Sequence, residues 1–128
     1  MNFFLKYKFI FYLFNIILIF IYLFPGSILG FLINNNIHKH PKITPDFIIS
    51  TNHLCSFFIL SFVGFLTFGK KKQFKILSIY LIFLSIILEL FHIIIPNRGF
   101  EFSDLFGNLL GVIISIFLKY FFKKDENI

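Results

Sequence analysis

The sequence predicts an all-α fold: an integral membrane four-helix bundle with both termini cytoplasmic. Three observations predict it. Of the 128 residues, 58% are hydrophobic, the apolar residues fall in four long runs, and the basic residues are unevenly distributed among the connecting segments. A soluble domain of this size is much less apolar, and each run spans or nearly spans ~30 Å of hydrocarbon at ~1.5 Å per helical residue. We therefore expect one membrane domain over residues 1–128, surrounded by the lipid bilayer.

Turn residues separate the predicted helices. These helices cover about residues 9–24, 46–68, 74–95 and 104–122. The first follows two lysines, as the apolar part of a secretory signal peptide would, but no small-residue cleavage site comes after it, so we expect a retained anchor. Pro25 and Gly26 end or kink this helix. Residues 27–33 are then expected to lie along the outer membrane interface.

Capping residues predict where the second and fourth helices begin. Thr44 is suited to cap the second helix, with Pro45 in its first turn and Asp46 against the positive end of the helix dipole. Ser103 is suited in the same way to cap the fourth helix, with Asp104 in its first turn. On this reading His53 lies eight residues, or ~12 Å, inside the second helix.

The basic residues predict the orientation in the membrane. Nine of the twelve lie on one side of the predicted bundle: Lys6, Lys8, Lys70, Lys71, Lys72, Lys75, Lys119, Lys123 and Lys124. The other three, Lys39, Lys42 and Arg98, lie on the opposite side. Because cytoplasmic segments are enriched in Lys and Arg, the first group is expected in the cytoplasm. The net charge of +6 is thus a topology signal, and without a solvated basic face we expect no nucleic-acid partner.

Polar residues gather around the connection between the third and fourth helices. A carboxylate in the middle of a membrane helix costs about 2.5 to 3.5 kcal/mol, so Glu89 should face the bundle interior and have a partner, or be protonated. His92 is three residues away and shares its helix face. The candidate polar cluster on the extracytoplasmic side consists of His53, Glu89, His92, Arg98, Glu101, Asp104 and Asn108.

The cluster has a structural and a functional interpretation. In the structural one, Arg98 pairs with Glu101 or Asp104, Asn108 bonds to Glu89 or to the neighbouring histidine, and the contacts only hold the helices together. In the functional one, the same groups line a small outward-opening cavity. That cavity would bind phosphate through the guanidinium, perform acid–base chemistry through the carboxylate and imidazoles, or bind a metal.

The ligand spacing matches no defined metal motif, so we predict no metal site and no cofactor. His38 and His40 are expected in a solvated loop, because no carboxylate or thiol accompanies them. Nucleotide-binding loops and the common hydrolase signatures are also absent from the sequence. Whether the protein is an enzyme is therefore left open.

Small residues on the fourth predicted helix are candidates for helix packing. Gly107, Gly111 and Ser115 recur at four-residue steps on one face, and a small-xxx-small pattern lets a neighbouring helix approach closely. This face should point into the bundle.

The spacing of the polar residues also resembles a known signature. The pattern is Glu89-x-x-His92, then Pro96-x-Arg98-x-Phe100-Glu101-x-x-Asp104-x-x-x-Asn108-x-x-Gly111. It resembles that of the VanZ-like family of small bacterial membrane proteins, over about residues 45–122. An earlier element, His53-Leu54-x-x-Phe57, is similar to the family's His-Phe-x-x-Tyr/Phe. Two features depart from the family: His92 stands where many members have Gln, and Ile49-Ser50 replaces a frequent Asp-Lys pair.

The resemblance implies a multi-pass protein of the bacterial cytoplasmic membrane. The family's namesake is associated with low-level resistance to the glycopeptide teicoplanin, and membership by itself names no substrate. Three hypotheses follow: a cell-envelope protein that binds or modifies a lipid or cell-wall precursor head group at the outer leaflet, a non-enzymatic membrane subunit, and a small proton-coupled carrier. The residues name no protein partner.

Overall fold

The computed structural model describes residues 3–45 and 48–125, and its regular elements in these ranges are all α-helices. They are α1 (Phe3–Leu23), α2 (Ile28–Asn34), α3 (Thr51–Thr67), α4 (Lys71–Phe91) and α5 (Phe102–Asp125). The predicted all-α class is confirmed for the described part of the chain. The described helices number five rather than four, because the segment after the first helix forms a short helix of its own.

A sharp turn separates α1 from α2. α1 ends at Leu23, just before Pro25, which cannot continue the helical hydrogen-bond pattern. Gly26 follows with φ +120°, a backbone conformation that other residues rarely adopt. Ser27 then caps α2, its Oγ accepting the Gly30 N–H at 3.0 Å. The two helices are bent by 83° relative to each other.

α3 begins later than the sequence predicts. Its first residue is Thr51, and the extended Ser50 precedes it. The predicted cap Thr44 and the predicted first-turn Pro45 therefore lie in a loop outside the helix, whereas Asp46 falls outside the described residues.

The side chain of Asn52 explains the later start of α3. Its Nδ2 donates to the Pro41 carbonyl at 2.6 Å, and its Oδ1 accepts the Ile43 N–H at 2.8 Å. Asn52 thus holds the preceding loop in a non-helical path against the first turn of α3. In consequence His53 is the third residue of α3 and lies in its first turn, not ~12 Å inside the helix.

The last residue of α4 and the first residue of α5 also differ from the predicted ones, which were residues 95 and 104. α4 ends at Phe91, where tighter bonds such as His92 N–H to the Glu89 carbonyl at 3.1 Å replace the α-helical pattern. The helix cannot continue far beyond this, because Pro96 disfavours the helical conformation in the residue before it. α5 begins at Phe102, so Ser103 lies inside its first turn and is not its cap.

α3 and α5 form the most extensive helix pair in the molecule. A Cβ added at Gly107 would lie 2.5 Å from the Ser50 carbonyl oxygen, and one at Gly111 would lie 2.6 Å from that of Leu54. Further along the same face, the Ser115 hydroxyl donates to the Phe58 carbonyl at 3.2 Å. The small residues of α5 therefore lie directly against the backbone of α3.

The four long helices run alternately up and down, which gives the bundle two chemically different ends. At one end, the turn between α3 and α4 meets the last turns of α5, where the Phe74 and Tyr120 rings are 5.5 Å apart. We call this the basic end, because the lysine cluster 70–72 lies there. The opposite end, with the last turn of α1 and the first turns of α3 and α5, is the polar end.

The helices are apolar enough for a membrane. Among the described residues, α4 and residues Phe102–Lys123 of α5 are long and apolar enough to cross one, and α1 with α2 would be a third span if the bent pair counts as one. α3, at 17 residues and about 25 Å, is shorter than the hydrocarbon layer. Outward-facing Phe83 and Phe117 are 62% and 70% exposed. These features indicate a membrane protein in contact with lipid.

Close contact between α3 and α5 can be tested at Gly111. We expect Gly111→Ala to lower the free energy of unfolding by about 1 to 3 kcal/mol, because the methyl group must push two backbones apart. Gly99→Ala is the matched control, since a Cβ there meets nothing within 4 Å. Thermal unfolding of both purified proteins in mild detergent measures the effect. Equal midpoints for the two variants would contradict the close packing.

Candidate functional site

The polar end contains a cavity of about 340 Å³ between the helix ends and the loop before α3. Its polar lining side chains are Tyr22, Ser27, His40, Lys42, Ser50, Asn52, His53, Ser56, His92, Asn97, Arg98, Glu101 and Asp104. The volume is within the range of small-molecule sites. The predicted cluster residues His53, His92, Arg98, Glu101 and Asp104 all line this cavity, and Glu89 and Asn108 lie buried next to it.

A hydrogen-bond network centred on Asn108 joins all four long helices. The Asn108 Nδ2 donates to the Ser85 carbonyl of α4 at 3.1 Å, which turns Oδ1 towards α1 and α3. Oδ1 accepts the Tyr22 hydroxyl at 2.7 Å and lies 3.0 Å from His53 Nδ1. Since Oδ1 can only accept, His53 Nδ1 carries the proton in this contact. The neutral His53 ring therefore has its lone pair on Nε2.

Glu89 is completely buried, at 0% exposure. Its Oε1 accepts the backbone N–H of Glu101 at 3.1 Å, so the carboxylate ties the end of α4 to the start of α5. Its Oε2 lies 3.2 Å from His92 Nδ1 and 4.0 Å from His53 Nδ1, which are ion-pair distances when the histidines are protonated. Among the described residues, Oε2 nevertheless has no partner in hydrogen-bond geometry, because neither imidazole directs an N–H at it.

His92 is held in a fixed orientation by α1. Its Nε2 donates to the Tyr22 carbonyl at 2.9 Å, and its ring stacks on the Tyr22 ring with centroids 5.8 Å apart and planes 21° apart. Because the carbonyl can only accept, Nε2 carries a proton and Nδ1 is the atom that faces Glu89. The two residues are thus neighbours, as the sequence predicts, although His92 lies one residue beyond the end of α4.

Arg98 does not have the partners that the structural interpretation predicted. Its Nη2 donates to the Ile21 carbonyl at 3.0 Å and its Nε to the Phe24 carbonyl at 3.3 Å. The Ile21 carbonyl lies in the last turn of α1 and the Phe24 carbonyl lies one residue beyond its end, where helical donors are lacking. The guanidinium therefore caps α1, and its hydrogen bonds go to these carbonyls rather than to Glu101 or Asp104. Nη1 takes no part in either bond. Burial lowers the pKa of Arg98, although the negative charges of the site act in the opposite direction.

The two acids of the α5 start have different surroundings. The Glu101 carboxylate is exposed and accepts the Ser103 hydroxyl at 3.4 Å. The Asp104 Oδ2 lies 3.5 Å from His53 Nε2, the nitrogen with the lone pair. One ligand atom from each of His53, Glu89 and Asp104 lies within 4.8 Å of the other two, so these three residues could hold a metal ion.

The loop before α3 contributes His40 and Lys42 to the rim of the cavity. Partial burial, followed by the charge of Arg98, lowers the pKa of His40 from its ordinary value of 6.5. His40 is therefore neutral at pH 7, and the positive charge along the lining comes from Lys42 and Arg98. Its motif neighbour His38 is exposed and does not line the cavity.

Sequence reasoning missed Tyr22 and the Ser85 carbonyl. Tyr22 is 6% exposed, and its hydroxyl bonds to Asn108 and lies 3.0 Å from His53 Nδ1. One signal was available: a tyrosine three residues before Pro25 lies at the same depth as the polar residues of the other helices. Nothing in the sequence could have revealed the Ser85 carbonyl, because a backbone group carries no residue-specific signal.

Fold and site together define a helical membrane protein with a polar cavity at one end, in which a buried imidazole, that of His92, and a partly buried one, that of His53, meet a buried carboxylate. Comparisons of the chain with protein-family models, curated proteins and solved structures found no match. The chemistry of the site is therefore argued from its own geometry: cations at the rim suit an anionic ligand, and the imidazole–carboxylate floor suits proton transfer or a metal.

The Asn108 network can be tested by removing one hydroxyl. We expect Tyr22→Phe to lower the free energy of unfolding by about 0.6 to 1.5 kcal/mol, because Asn108 Oδ1 loses a buried donor. Tyr12→Phe is the control, since Tyr12 is on the same helix but 54% exposed. Denaturant or thermal unfolding of the purified variants gives the comparison. A larger loss in the Tyr12 variant would contradict the network.

Proposed function

We propose that this chain is a VanZ-like, multi-pass protein of the bacterial cytoplasmic membrane that binds or modifies a lipid or cell-wall precursor head group at the outer leaflet. The convergence of the spaced motif residues supports this proposal. Glu89, His92, Glu101, Asp104 and Asn108 are spread over 20 positions, yet they meet at one end of the molecule, at the cavity. If these residues served only to pack the helices together, a cavity beside them would not be expected.

The proposed orientation follows from the charges. In a four-span bundle with cytoplasmic termini, the lysine cluster 70–72 and the chain ends face the cytoplasm, as the positive-inside tendency requires. The polar end with its cavity then opens at the outer leaflet. There the head groups of lipids and of lipid-linked precursors are within reach of Arg98 and Lys42, and their phosphates are the ligands that these cations favour.

The observation that carries the proposal is the position of Arg98. Its Nε and Nη2 hold the end of α1, and the guanidinium also lines the cavity. A charged group fixed by backbone contacts has little conformational freedom to lose on binding, which is the preorganisation that head-group recognition needs. The same contacts favour the alternative, a non-enzymatic subunit, because a capping Arg98 contributes to folding even without a ligand.

The orientation can be tested by labelling single cysteines in a Cys55→Ala background, since Cys55 is the chain's only cysteine. A membrane-impermeant maleimide should label Lys39→Cys in intact cells, because the loop before α3 faces outwards. It should label Lys71→Cys only after the membrane is permeabilised. The reverse pattern would place the cavity on the cytoplasmic side and end the proposal.

Head-group binding can be tested with vesicles containing a polyprenyl diphosphate. Arg98→Gln keeps amide donors for the α1 carbonyls but removes the charge, so we expect affinity to fall about tenfold or more, as for the loss of a charge-assisted bond of about 1.5 to 3 kcal/mol. The control Lys39→Ala removes an exposed cation outside the cavity lining and should bind normally.

Teicoplanin susceptibility of a host that expresses each variant gives a second measurement. Arg98→Gln should lose any protection while its level in the membrane and its unfolding midpoint stay near those of the unmodified chain. Equal binding by the two variants would refute head-group recognition by Arg98. Loss of folded Arg98→Gln would favour the structural alternative.

A further inference from the structure

We propose that His53, Glu89 and Asp104 form a binding site for one divalent transition-metal cation at the floor of the cavity. They come from three different helices, α3, α4 and α5, and one ligand atom from each lies within 4.8 Å of the others. No spacing in the sequence predicts this arrangement, because the three residues are brought together only by helix packing. The site goes beyond the proposed function, which needs no metal.

The state of the His53 ring supports metal binding. Asn108 is oriented by the Ser85 carbonyl, and its Oδ1 accepts a hydrogen bond from the His53 Nδ1–H, so the lone pair of the neutral ring is on Nε2. Nε2 lies 3.5 Å from Asp104 Oδ2, whereas Nδ1 is the ring nitrogen nearest to Glu89 Oε2, at 4.0 Å, so binding through Nε2 requires the Glu89 carboxylate to move towards that nitrogen. A histidine that donates through one nitrogen and presents the other to a carboxylate has the arrangement of a metal ligand with its supporting hydrogen bond.

The buried carboxylate supplies the second, independent observation. Glu89 is 0% exposed, and its Oε2 has no hydrogen-bond partner in the described part of the chain. An unsatisfied buried carboxylate oxygen is costly. A cation bound to Oε2 would remove that cost, and a charge of +2 would balance the two carboxylates while His53 stays neutral.

The donor set selects the class of cation. One imidazole nitrogen and two carboxylate oxygens suit Zn²⁺ or Mn²⁺, whereas Mg²⁺ and Ca²⁺ favour ligands that are all oxygen. Metal–ligand distances of about 2.0 to 2.2 Å place two ligand atoms roughly 4 Å apart at most, so the ligand atoms, which lie within 4.8 Å of one another, move closer together when the ion binds. Three protein ligands leave a coordination position open to water from the cavity.

The test is metal binding by the full chain, purified in mild detergent and stripped with a chelator. Calorimetric titration with Zn²⁺ and with Mn²⁺ should show one saturable site per chain, and Mg²⁺ should compete weakly. Asp104→Asn and His53→Ala should each weaken binding about tenfold or more. His38→Ala removes an imidazole outside the cavity lining and should bind as the unmodified chain does.

A spectroscopic readout separates this site from adventitious binding. Zinc X-ray absorption of the loaded protein should show a nitrogen and oxygen shell with one imidazole, and the imidazole signal should be absent from His53→Ala. Glu89→Gln belongs in the series, but if the buried substitution prevents folding, Asp104→Asn decides, because that side chain is 16% exposed.

Two results would overturn the metal site. One is the absence of saturable binding by the folded chain, and the other is an equal loss of binding in the His38→Ala control. The titration contains no lipid ligand, so its failure is distinguishable from a failure of head-group recognition.

Discussion

The hydrogen bond from the Asn108 amide to the Ser85 carbonyl is the interaction on which the polar end depends. It fixes which atom of Asn108 faces Tyr22 and His53, and through His53 Nδ1 it decides which nitrogen of that ring faces the cavity. The bond exists only because α5 lies close to its neighbours. Gly107 and Gly111 permit that approach, since any larger residue would meet the backbone of α3. The arrangement of the site residues therefore depends directly on how closely the helices pack.

The burial of Glu89 is the second constraint. A buried carboxylate must be compensated. Glu89 Oε1 accepts the backbone N–H of Glu101 for this purpose, while Oε2 lies beside His92 and His53. The hydrogen bond to Glu101 joins the end of α4 to the start of α5. Glu89 consequently holds the turn between α4 and α5 against the other helices through Oε1. Its Oε2 is unsatisfied by hydrogen bonds among the described residues, so the same side chain is also available for binding or proton transfer.

Arg98 shows how a correct residue can be assigned the wrong partner. The sequence placed it near acids, and an ion pair was the simplest expectation. In the structure it instead donates to the carbonyls of Ile21 and Phe24. The sharp turn at Pro25 and Gly26 prevents these carbonyls from finding partners further along α1. Backbone groups exposed by a break in one helix thus determined the partner of a side chain 74 positions away.

The sequence by itself determined the all-α class, the apolar character of the long helices and most members of the polar cluster, because hydrophobic runs and the cost of a membrane carboxylate are local properties. It did not determine the start of α3, since the contacts of Asn52 with the preceding loop override the capping preference of Thr44. Only the tertiary structure decided the role of Tyr22, the partners of Arg98 and the meeting of His53 with Glu89 and Asp104. Each of these depends on distances between helices, which residue types and spacing along the chain do not specify.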